Sequence, residues 1–106
     1  MTTSSSTVVC QLDALGEAER LRQRALRGAM REAVAETEEL ADGYALRLTA
    51  DPALFLQVAE WVTLERRCCP FLSFALDWPA GGAAWLRLTG GPDVKTFLAA
   101  EVRRTA

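Results

Sequence analysis

Histidine is absent from this 106-residue chain. Its absence removes cysteine–histidine and serine–histidine–aspartate catalysis, and every imidazole-ligated metal, from the chain acting alone. Cysteine occurs only three times, as Cys10, Cys68 and Cys69, which is no basis for the disulfide framework of a small secreted domain. Long apolar runs are missing, and the opening Met1–Thr7 is polar, so neither a membrane span nor a signal peptide is expected. Basic charge is not in excess: the net charge is −2 and the pI about 5.1, which argues against a general nucleic-acid-binding surface. The expectation is a cytoplasmic protein whose chemistry is confined to thiols, carboxylates and arginines.

What is present suits one α+β domain. Half of the residues are hydrophobic and 25% are charged, ordinary values for a globular chain. Residues 1–7 read as a disordered N-terminus and 8–106 as the domain. Val8–Leu12 is short and β-prone, and Asp13 is a candidate N-cap for a helix running to about Arg31. Leu15, Ala18, Arg22, Ala25 and Ala29 trace its stripe, widened by Leu21, Leu26 and Met30. Arg20, Arg24, Arg27 and Arg31 form a basic ridge. A solvated face paired to nearby glutamates is the ordinary reading of such a ridge, and an anion or partner surface is the other.

A strand is predicted over Ala33–Leu40 and a second, alternating apolar and polar, over Tyr44–Thr49, joined by the turn Ala41-Asp42-Gly43. Asp51 and Pro52 then read as N-cap and first helical position of a second helix reaching roughly Arg67. Pro70 disfavours helical geometry at Cys69, so this helix should stop at or before Cys68. Phe71–Trp78 and Ala84–Thr89 are two further strands around the turn Pro79-Ala80-Gly81-Gly82. A last helix follows Gly90-Gly91-Pro92-Asp93 and runs through Phe97, Leu98 and Val102.

An internal repeat organises these elements. Leu46-Arg47-Leu48-Thr49-x-x-Pro52 recurs 40 residues later as Leu86-Arg87-Leu88-Thr89-x-x-Pro92. An N-terminal helix followed by two ββα units accounts for the chain. It implies a mainly antiparallel four-stranded sheet with its helices on one face. The same shift sets Cys68-Cys69 against Gly28-Ala29, in a stretch without thiols, so the cysteine pair reads as an addition to the repeated scaffold.

On a regular helix Trp61, Glu65 and Cys68 share one face, at i, i+4 and i+7. A helix C-terminus and Glu65 both disfavour a thiolate, while Arg66 and Arg67 favour one. One of the two thiols can fill core while the other faces a pocket. If Cys10 comes beside the pair, three sulfurs could share one ion. Such a set suits Hg(II), Cd(II), Cu(I) or trivalent arsenic, or Zn(II) with a fourth ligand.

The stretch Glu65-Arg66-Arg67-Cys68-Cys69-Pro70-Phe71-Leu72-Ser73-Phe74 resembles the signature of a family of small, poorly characterised bacterial proteins. Their core is Glu-x-x-Cys-Cys-x-Phe-x-x-Phe, often with a cysteine near the start, where this chain has Cys10. Some members accompany metal-responsive regulators, so the resemblance implies heavy-metal handling, with Glu65, Cys68, Cys69, Phe71, Phe74 and Cys10 as the matching positions.

Three readings follow. The first is a thiol-based binder of a soft metal or metalloid ion, ligated by Cys68, Cys69 and Cys10. Glu65 would stand behind the ligands, and Trp61 and Phe71 would wall off water. The second is a redox protein or enzyme with one nucleophilic and one resolving thiol. The third is an interaction module with core cysteines, open to homodimerisation through its sheet or its arginine ridge.

Overall fold

The computed structural model describes residues 11–105; Cys10 and the polar opening segment lie outside the described residues. Helix α1 spans Glu17–Ala33, strands β1 and β2 span Val34–Leu40 and Gly43–Leu48, and helix α2 spans Pro52–Cys68. Strands β3 (Ser73–Asp77) and β4 (Ala84–Thr89) and helix α3 (Pro92–Thr105) complete the order. This is the expected helix followed by two ββα units. The sheet is antiparallel throughout, in the order β1-β2-β4-β3.

Local chemistry explains most element boundaries. Asp51 caps α2 by accepting the Ala53 N–H at 2.9 Å, and Pro52 takes the first turn. The helix ends at Cys68, and Cys69 leaves the helical path with φ −124° and ψ 74°, as the following proline requires. Gly43 opens β2 where a Cβ would overlap the Leu88 carbonyl oxygen, so only glycine fits between β2 and β4.

The start of α1 differs from expectation. Asp13 does not cap it: residues Leu12–Ala14 form a single 3-10 turn, Gly16 occupies the N-cap, and its N–H is satisfied by Glu19 Oε1 at 3.0 Å. Gln11 and Leu12 are accordingly not part of a strand. The buried line of α1 is also different, running Gln23, Leu26, Met30 and Ala33, while Ala18, Arg22 and Ala25 are exposed. Alanines have little surface to bury, so the larger Leu26 and Met30 set the rotation of the helix. Gly28 and Ala29 lie inside α1 and do not form a junction matching the cysteine pair.

The helices pack on one face of the sheet. Leu46, Leu48, Leu86 and Leu88 point inward from β2 and β4 against Leu26, Met30, Val58, Trp61, Val94 and Leu98. Helices α1 and α2 run antiparallel, clamped by Arg22 on Glu60 at 2.9 and 2.7 Å and by Arg67 on Glu19 at 2.7 Å. That clamp brings the middle of α1 alongside the C-terminal turn of α2, where the cysteines are.

Candidate functional site

Because α2 stays regular to its end, Trp61, Glu65 and Cys68 fall on one face, and all three are buried. Cys69 is fully buried and Cys68 is 4% exposed. The Cys69 N–H donates to the Glu65 carbonyl at 2.7 Å. Its thiol nevertheless turns back along the helix and donates to Glu65 Oε2 at 3.5 Å. The two cysteines stand 4.2 Å apart.

Glu65 is the hub of this corner. It is 8% exposed, and an unpartnered carboxylate at that depth would be costly. Two α1 side chains meet the need: Gln23 Nε2 donates to Oε1 at 2.7 Å, and Arg27 Nη2 lies 3.6 Å from the same oxygen. Gln23 was not among the site residues expected from sequence. Its signal was a glutamine in the buried line with Leu26 and Met30, where a polar side chain requires a buried partner.

Arg67 does not serve the thiols. Its guanidinium donates to Glu19 at 2.7 Å and to the Ala14 carbonyl at 3.1 Å, and Arg66 is exposed. The carboxylate facing Cys69 and the helix C-terminus both oppose a bare thiolate. The cationic help expected from Arg67 is committed to holding the two helices together.

A cleft of about 580 Å³ opens beside the pair, lined by Arg20, Arg24, Arg27, Glu65, Cys68 and Phe97. Cys68 therefore faces a cavity while Cys69 packs into the core. Behind the cleft, a recess of about 50 Å³ is lined by Trp61, Leu72, Leu88 and Leu98, with Arg27 and Glu65 shared between the two spaces. The buried Trp61 indole N–H finds no acceptor among the described residues. Phe74 packs edge-on against Trp61 with ring centroids 6.1 Å apart, and Phe71 packs edge-on against Phe97 at 5.3 Å. Trp61 thus lines the recess itself, whereas Phe71 supports the cleft from behind Phe97.

Cys10, expected as a third ligand, lies outside the described residues. Its covalent neighbour Gln11 donates its backbone N–H to the Cys68 carbonyl at 2.6 Å. Among the described residues, no group of three or more Cys, Asp or Glu side chains gathers in an arrangement able to hold a metal ion. No helix of the described residues is long and apolar enough to cross a membrane. Comparisons with protein-family models, curated proteins and solved structures return no match.

Proposed function

We propose that this protein binds a soft metal or metalloid ion through its thiols in the cytoplasm, with Cys68 and Cys69 as ligands and Cys10 as the third. The observation that carries the reading is the 4.2 Å separation of two buried cysteines. Two sulfurs bonded to one ion at about 2.3 Å each stand no more than about 4.6 Å apart, a spacing that the side chains of two adjacent cysteines can reach. The donor set is soft, without imidazole, which favours Hg(II), Cd(II), Cu(I), trivalent arsenic, or Zn(II) with a fourth ligand.

The surroundings support the same reading. Glu65 and the helix C-terminus disfavour a bare thiolate, so a thiol here gains most from an ion that neutralises it. Glu65, already the acceptor for Cys69, is placed to take the proton that ligation releases. The Gln11 N–H donates to the Cys68 carbonyl at this corner. The resemblance of residues 65–74 to a bacterial family, some of whose members accompany metal-responsive regulators, favours the same reading.

Titration of the reduced protein with Hg(II), Cd(II), Zn(II) and As(III) tests the proposal. The expected result is stoichiometric binding with release of protons, abolished when Cys10, Cys68 and Cys69 are together replaced by serine. Binding that survives the triple replacement would sink it. Native thiols that react rapidly with iodoacetamide well below their ordinary pKa of about 8.5 would favour the redox reading instead.

A further inference from the structure

The arginine ridge expected as a solvated, glutamate-paired face divides in the structure. Arg27 reaches inward to Glu65 at 3.6 Å. Arg24 and Arg20, one and two turns before it on α1, line the cleft above Cys68 and make no ion pair among the described residues. Arg22, on another side of the same helix, is bound to Glu60 at 2.7 Å. Two cations therefore line, with the Cys68 thiol, a cleft of about 580 Å³, a volume typical of small-molecule sites. Glu17 and Glu101 also line it, so the walls carry both signs of charge. The Trp61 N–H, which has no acceptor among the described residues, lines the separate recess and not this cleft.

A hydrated metal ion needs no such cleft. We infer that it receives a small thiol bearing carboxylate and ammonium groups, an amino-acid or short-peptide thiol, which delivers the ion as its thiolate complex. This rests on the metal-binding reading and adds the form in which the ion arrives. Arg20 and Arg24 take the carboxylates, since guanidinium groups pair well with them. The acidic rim suits the ammonium group, which a simple anion such as phosphate lacks.

Transfer is then a thiol exchange at constant oxidation state. The Cys68 sulfur forms a bond to the ion, the bond to one small thiolate breaks, and the Cys68 proton leaves on that departing thiolate. A second exchange brings in Cys69: its sulfur forms a bond to the ion, the bond to the second small thiolate breaks, and the Cys69 proton leaves on that thiolate.

The test compares loading from two complexes, Hg(II)–bis(glutathione) and the uncharged Hg(II)–bis(2-mercaptoethanol), by quenched-flow mass spectrometry of the protein. The native protein should load faster from the glutathione complex. Replacing Arg20 and Arg24, both exposed, with alanine should lower the ratio of the two rate constants by about tenfold, the scale of electrostatic steering into a charged cleft. A native ratio near one, or a ratio the double variant leaves unchanged, would overturn the docking inference while leaving metal binding intact. Loading from neither complex would overturn the metal reading and the exchange with it.

Discussion

A carboxylate as enclosed as that of Glu65 must find donors inside the protein, because removing it from water costs several kcal/mol. Gln23 supplies the shortest of them, at 2.7 Å, from a residue that is itself only 7% exposed. Gln23→Leu keeps the apolar packing of α1 but leaves Glu65 with the more distant Arg27 and the weak Cys69 thiol. The expected cost is about 1–3 kcal/mol, the usual penalty for a buried acceptor losing its partner, measured by urea unfolding. The tighter constraint at Gly43 is steric. A side chain there would meet the Leu88 carbonyl, and Gly43→Ala should destabilise by about 1–3 kcal/mol through displacement of β2 from β4.

The pairing of α1 with α2 depends on two ion pairs from the first two turns of α1, Glu19 with Arg67 and Arg22 with Glu60, and on buried contacts. The ion pairs are exposed and orient the helices more than they stabilise them. Hydrogen bonds from Arg67 first, then from the Gly16 N–H, hold the Glu19 carboxyl below its ordinary value of 4.5. Arg22 does the same for Glu60. A carboxyl lowered in the folded state contributes stability that is fully present above its unfolded value and is lost as pH falls through the lowered folded one. The clamp should therefore weaken only in acid, below about pH 4.5. Arg67→Ala should move the Glu19 titration, followed by NMR, upward toward the ordinary carboxylate range, with the Gly16 N–H retaining part of the shift. A Glu19 titration unchanged by that replacement would contradict the assignment.

Across the whole molecule, the sequence repeat becomes an internal approximate two-fold. Equivalent residues Leu46 and Leu86 pair directly across β2 and β4, so the axis relating the two strand pairs passes between them. Both are buried, at 3% and 0% exposure. Leu46→Ala and Leu86→Ala should each cost about 2–5 kcal/mol, a large share of the roughly 5–15 kcal/mol holding a domain together. Leu21→Ala and Leu56→Ala, at 58% and 68% exposed sites, should stay within about 0.5 kcal/mol. Denaturant midpoints distinguish the two pairs. The symmetry fails at the thiols: α1 passes directly into β1 at Ala33–Val34, whereas residues 69–72 separate α2 from β3. The Cys-Cys corner occupies a connection that the first copy lacks.

The elements of this fold were legible because their signals are local. Strand alternation, Asp51-Pro52 before α2 and Pro70 after Cys69 each act within a few residues, and the α2 boundary at Cys68 followed from them. The 40-residue repeat supplied the order, and the shared face of Trp61, Glu65 and Cys68 needed only helical geometry. The misplaced α1 cap and stripe had the opposite cause. Gly16 and Glu19 do what Asp13 was expected to do, and the rotation of α1 depends on where Leu26 and Met30 meet the core. The partner of Glu65 lies 42 residues away, and Arg67 reaches 48 residues back to Glu19. Sequence alone determined which elements form and where the thiols stand along them. Tertiary packing decided what surrounds those thiols: it turned Cys68 to an arginine-lined cleft and Cys69 to a buried carboxylate, because such partners depend on how two helices dock rather than on residues nearby in the chain.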